Sequence, residues 1–166
     1  VKPELKPRLK RLEIYFEEHP IFFVTACTHS RRPILSSHIV HKKFVGFCTN
    51  AQTKGVFVGR YVLMPDHIHL FVSVSGLSPK NSASRNFIQP LSKWVQALKG
   101  VLSRVWRAEG LKGPFWQKSF FDHMLRSSES YSQKWEYTRA NPVRAGLVKK
   151  TEEWPYQGEI FVLSKD

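Results

Sequence analysis

The stretch Met64-Pro65-Asp66-His67-Ile68-His69-Leu70-Phe71-Val72-Ser73-Val74 decides the fold. Pro65-Asp66 is a turn pair, and the run after it alternates. Successive strand side chains point to opposite faces. Ile68, Leu70, Val72 and Val74 therefore share one face, and His67, His69, Phe71 and Ser73 share the other. The first set is wholly aliphatic and requires helices to cover it. The second puts two imidazoles side by side on a face left open. A spacing of two residues lets both nitrogens reach one cation. The pattern is short, and two solvated or hydrogen-bonded histidines satisfy it equally. Three-histidine zinc sites also contain it. A zinc-dependent hydrolase using His67 and His69 therefore stays open, with His29, His38, His41 or His123 as a third ligand.

Working outward, Val56 to Met64 predicts an antiparallel neighbour across the Pro65-Asp66 turn. Upstream, Ser36 and Ser37 are N-cap types ahead of a helix carrying Ile39, Val40, Phe44, Phe47, Cys48 and Ala51, which ends near Gly55. Ile21 to Cys27 reads as a buried strand, entered from a turn at His19-Pro20 and followed by a loop, Ser30-Arg31-Arg32-Pro33. Downstream, residues 75–87 are a polar loop. A long helix follows from Ile88 to Glu109, with Pro90 near its first turn. Its apolar positions, Leu91, Trp94, Val95, Leu98, Val101, Leu102, Val105 and Trp106, recur at spacings of three and four. Phe115 to Leu125 reads as a strand after Gly113-Pro114. Ser127-Ser128 cap a helix to about Ala140, stopped by Asn141-Pro142.

The order β-α-β-β-α-β-α predicts an α+β domain of the ferredoxin-like split βαβ plan. It has a four-stranded antiparallel sheet, helices on one face and the histidine pair on a central strand. The domain is expected over residues 21–158, between a basic N-terminal arm (1–20) and a C-terminal tail (159–166).

The chain has 166 residues, enough for one domain with a proper core. No apolar run approaches the roughly 20 residues of a membrane helix, and no signal peptide is expected, so the cytoplasm is the expected compartment. The two cysteines, Cys27 and Cys48, form no framework and read as small buried residues in a reducing compartment. Lys and Arg total 26 against 13 acids, a formal charge of +13. That balance on a small protein implies a polyanionic partner. Five Trp, five Tyr and 12 Phe supply stacking surface as well as core, the combination that single-stranded nucleic acid binding uses.

The helix after Ser128 carries Tyr131, Trp135 and Tyr137. Residues four apart share a helix face, which pairs Tyr131 with Trp135 and, if the helix runs one residue further, Tyr137 with Asn141. The first looks like packing. The second sets a phenol beside an amide oxygen, a nucleophile next to a hard metal ligand. Arg139, Arg144, Lys149 and Lys150 lie close by, and Arg31 and Arg32 sit in the first loop; all six are candidate phosphate contacts. By themselves, Tyr137 and Asn141 also fit a packed aromatic and a helix stop.

Several stretches together resemble the REP-associated tyrosine transposases, single-tyrosine HUH transposases related to insertion-sequence enzymes. They are FFVTACTHSRRPIL, GRYVLMPDHIHLF, FWQKSFFDHMLRSSESY, YSQKWEYTRANPVRAGLV and EWPYQG, in that order from about Ile21 to Gly158. The resemblance implies that His67, His69 and Asn141 ligate Mg²⁺ or Mn²⁺, that Tyr137 is the nucleophile and that Tyr131 is not. It further implies cleavage and rejoining of single-stranded hairpin DNA through a 5′-phosphotyrosine, by a monomer or a dimer. The alternative is a sheet that binds single-stranded nucleic acid without chemistry. If about six basic residues touch phosphates, single-strand affinity should fall with salt at a log–log slope of roughly −4. Fluorescence anisotropy across a salt series measures that slope; a value near zero would remove the polyanion reading.

Overall fold

The computed structural model describes residues 20–74, 85–125 and 127–163, apart from the side chains of 85–90, 128 and 129. Strands β1 (Ile21–Cys27), β2 (Val56–Leu63), β3 (His67–Val74), β4 (Phe121–Leu125) and β5 (Gln157–Glu159) form one antiparallel sheet in the order β4-β1-β3-β2-β5. The expected antiparallel sheet is therefore present, with the histidine strand at its centre. A fifth strand extends it: β5 pairs with β2 through Arg60–Glu159, Tyr61–Gly158 and Val62–Gln157.

Helices α1 (His38–Asn50) and α2 (Arg85–Ala108) pack on the aliphatic face of the sheet. Ser37 caps α1, its hydroxyl accepting from the Val40 amide at 3.3 Å, and a short 3-10 turn carries the chain to Gly55 at φ 73°, where a Cβ would be strained. Val40, Phe44 and Cys48 from α1 meet Leu91, Trp94, Leu98, Leu102 and Trp106 from α2 over Ile68, Leu70, Val72 and Val74. Ile39, grouped with the apolar positions by sequence, stands half exposed. Helix α2 begins at Arg85, inside the segment read as loop. The remainder of that loop, 75–84, and residues 1–19 of the N-terminal arm lie outside the described residues.

Helix α3 (Ser128–Arg139) takes the other face. Ser127 caps it, accepting from the Ser130 amide at 3.1 Å. Tyr131 is fully buried and meets the Phe71 ring edge-on, centroids 4.7 Å apart. Ile21, Phe23, Leu125 and Leu163 complete this second core. The helices-on-one-face plan thus describes α1 and α2, while α3 closes part of the face expected to be open. It leaves the histidine end partly open, with His67 and His69 half-buried. Gly59 explains how α3 comes so close: a Cβ there would stand 3.0 Å from the Tyr131 hydroxyl and 2.7 Å from Leu163. The same glycine sits in the register shift between Val58 and Tyr61.

The segment beyond 158, read as a tail, continues along β2. Ile160 and Phe161 donate to the carbonyls of Gly59 (3.2 Å) and Val58 (2.9 Å), and Leu163 is buried. The expected strand from Phe115 is shorter, with β4 spanning only Phe121–Leu125. Residues 115–119 are held instead by single bonds. Gln117 donates to the Cys27 carbonyl (3.0 Å) and His29 to that of Phe115 (2.8 Å). Lys99, buried in α2, donates to the carbonyls of Gln117 (2.9 Å) and Ser119 (3.1 Å).

Lys99→Met keeps the aliphatic stem and removes the donor. It should cost about 2 kcal/mol by stranding two carbonyls, read as a lowered midpoint in urea denaturation. An unchanged midpoint would show that Lys99 does not fasten the approach to β4.

Candidate active site

The partly open end of the second face carries the histidines. Their rings stand edge to face, centroids 4.7 Å apart. Each has its Nδ1 occupied. Asp66 Oδ1 lies 2.7 Å from Nδ1 of His67, and Thr25 Oγ1 lies 2.8 Å from Nδ1 of His69. Cross-strand pairing of Thr25 with His69 in β1–β3 puts that hydroxyl in place. Where Nδ1 donates to oxygen, a neutral ring keeps its lone pair on Nε2, the arrangement that orients metal-ligating histidines.

Electrostatics keep His69 neutral. Burial lowers its pKa, and the charges of His67, Lys134, Arg31 and Arg144 lower it further, to about 3. Phe23 stacks on the ring at 5.2 Å, and the Lys134 ammonium lies 4.8 Å above Phe23. Burial alone would raise the Asp66 carboxyl, but the hydrogen bond and charge of His67 and the Arg31 guanidinium outweigh it and hold it below its usual value. Arg31 Nε reaches Asp66 Oδ2 at 2.8 Å, and its Nη1 donates to Cys27 Sγ at 2.9 Å. Ser30 and Arg31 both sit at positive φ, 51° and 54°, a strained turn for residues with a Cβ. Thr28 ties that turn down, its buried hydroxyl within reach of the carbonyls of Arg32 (2.8 Å) and Asp66 (3.0 Å).

The two tyrosines of α3 part company. Tyr131 is enclosed, and Tyr137 is 65 % exposed. Helix α3 ends at Arg139, and Asn141 opens a separate short helix, α4 (Asn141–Arg144), with Pro142 in its first turn. Arg144 folds back over this junction. Its guanidinium lies 4.0 Å above the Tyr137 ring, and it donates to the Tyr137 carbonyl at 2.7 Å and to the Asn141 side-chain oxygen. The Asn141 oxygen is thus engaged by Arg144. Two imidazoles held through Nδ1 and one amide oxygen are donor types that suit Mg²⁺ or Mn²⁺.

Sequence reasoning missed Thr25, Asp66, Lys134 and Phe23. Asp66 was visible beside the histidines; the others depend on pairing and packing across the sheet. Of the six candidate phosphate contacts, Arg31 and Arg144 stand at the site. Arg32 donates to the carbonyls of Lys112 and Pro114 (2.8 and 3.2 Å) and so belongs to a loop clasp. Arg139 pairs with Glu136 and Glu152 (3.2 and 3.7 Å). Lys149 and Lys150 are exposed. Among the described residues, no group of three His, Cys, Asp or Glu side chains could hold a metal. None of His29, His38, His41 and His123 therefore completes a zinc triad there; His41 instead bonds the Tyr61 hydroxyl at 2.8 Å.

Comparison with known proteins finds relatives of one kind. A REP-associated tyrosine transposase of Escherichia coli K12 is 27 % identical over 99 residues, 60 % of this chain and 52 % of its own length. A Haemophilus influenzae Rd relative is 28 % identical over 100 residues, 57 % of this chain and 53 % of its own. The chain spans about half the length of these curated relatives. A REP-associated tyrosine transposase solved with a REP hairpin bound superposes with a TM-score of 0.60 at 20 % identity, covering 83 % of this chain and 75 % of that one. The likeness is one of fold. None of the described helices is long and apolar enough to cross a membrane. The family described as "Transposase IS200 like" matches residues 20–139, a span that holds His67, His69 and Tyr137 and stops before Asn141. On that match, covering most of its length, the chain belongs to the IS200-like transposase family.

Proposed function

We propose that the protein cuts and rejoins single-stranded DNA at hairpin sequences, with Tyr137 as the nucleophile. One observation carries the reading. The exposed phenol stands under Arg144, whose charge is felt at His69, so nucleophile, cation and imidazole pair share one open end of the sheet. The family membership and the fold of a relative solved with a hairpin support it.

In this reading Arg31, Lys134 and Arg144 draw the phosphate toward the histidines. His67 and His69, through Nε2, and Asn141, once Arg144 releases its oxygen, would hold Mg²⁺ or Mn²⁺. When bound, such an ion supplies Lewis-acid polarisation of a phosphate oxygen. The Tyr137 oxygen forms a bond to phosphorus, and its proton passes to solvent. The bond from phosphorus to the 3′ oxygen breaks, and that oxygen leaves with the electron pair and takes up a proton. A 5′-phosphotyrosine and a free 3′-OH result. A second 3′-OH attacks the same phosphorus and expels Tyr137. The number of ester bonds is conserved, so no nucleotide cofactor is consumed.

Tyr137→Phe should abolish the covalent protein–DNA adduct with a labelled hairpin oligonucleotide in Mn²⁺ on a denaturing gel, while hairpin binding persists. Tyr131→Phe should keep the adduct. An adduct in Tyr137→Phe, or binding with no adduct in the unmodified protein, would overturn the assignment; the second result would leave a binding module. For the ligand set, Thr25→Val should weaken Mn²⁺ about 10- to 100-fold by freeing the His69 ring, measured by calorimetric titration, with Thr25→Ser restoring it. Equal affinity in Thr25→Val would refute the role given to Nε2.

A further inference from the structure

Phe121 is 60 % exposed on the edge strand β4. Its neighbour Phe120 packs against the core under α1 and α2, so Phe121 is the one of the pair turned to solvent. The register places it closely. Thr25 pairs with His69 on one side and with Phe121 on the other. Residues directly opposite in antiparallel strands point to the same face. Phe121, Thr25 and His69 therefore form one row across the sheet, on the face that bears the histidine pair. Two strand spacings, about 10 Å, separate the ends of that row. Helix α3 covers the neighbouring row at Phe71.

The surroundings fit a nucleotide better than a protein core. Lys134 sits over Phe23, the residue next along on β1's same face. His123, opposite Phe23 on β4, is also exposed. An exposed ring thus stands at the rim of a cationic site, within a nucleotide's reach of the imidazoles. Single-stranded nucleic acid is held by such a combination: cations on the phosphates and aromatic faces under the bases.

We propose that Phe121 is a stacking platform for an unpaired base flanking the phosphate bound at His67 and His69. The proposal rests on the single-stranded DNA reading above and adds a residue to it. Every base has a π-face, so Phe121 contributes affinity and places the strand without reading its sequence.

The test separates this from the chemistry. Binding of a labelled oligothymidylate is measured by anisotropy on the Tyr137→Phe background, without divalent metal. Phe121→Ala should weaken binding about 5- to 100-fold, and Phe121→Trp should restore it. Phe121→Leu, which keeps bulk but no π-face, should behave like Phe121→Ala. The log–log salt slope should not change, because no phosphate contact is lost. Thermal melts should coincide, since the side chain is exposed. Wild-type affinity in Phe121→Ala or Phe121→Leu, or an altered salt slope, would overturn the proposal. A change in self-association of Phe121→Ala without DNA would also overturn it, assigning the β4 edge to a second copy. Failure of the adduct assay in the unmodified protein would sink the transposase reading and leave this binding result intact.

Discussion

A strand with neighbours on both edges cannot shift by one residue without breaking two ladders and turning its buried face to water. β3 is held in that way, between β1 and β2. Its aliphatic face is sealed by α1 and α2, and this seal fixes which way His67 and His69 point. Everything at the candidate site inherits that constraint. Thr25 reaches His69 because β1 is in register. Asp66 reaches His67 because the turn entering β3 is short. The imidazoles hold their orientation through hydroxyl and carboxylate partners instead of through burial alone.

Positive charge is the second organising element. Arg31, Lys134 and Arg144 converge on His69 from a strained turn, from α3 and from α4. The turn lies about a hundred residues before the two helices in sequence, which follow one another directly. Burial chiefly keeps the His69 imidazole neutral, and the surrounding cations disfavour a further proton as well. The same field attracts a phosphate. Asp66 is the local counterweight: it keeps Arg31 in place and orients His67, and its own charge is favoured by both.

Much of this was legible in the residues, and the reasons differ by element. The alternation of 67–74 and the three-four spacing of 91–106 are strong periodic signals, and they placed the sheet centre and the long helix correctly. β5 was not legible, because Gln157-Gly158-Glu159 has no pattern of its own and is a strand only because β2 offers an edge. The start of α2 was hidden in polar residues that read as loop. Tyr137 had no distinguishing local signal and was lifted only by resemblance. Tyr131 and Tyr137 lie on different faces of the helix, and burial under Phe71 shows which face is packed. Thr25 and Lys134 could not be found, because their partners lie far along the chain and are joined only by packing.

Helix α3 is fastened at its root by Tyr131 and near its tip by Thr138, which is 1 % exposed. Tyr131 is wedged between Phe71 and the hollow above Gly59, while Tyr137 stands in solvent six residues on, about 9 Å along the axis at 1.5 Å per residue. Thr138 beside Tyr137 and the α4 corner with buried Pro142 hold the tip against tilting. The phase of the helix matters as much as its length. One residue added between root and tip would swing the phenol by about 100° around the axis. The number of residues between root and tip is thus fixed by this geometry.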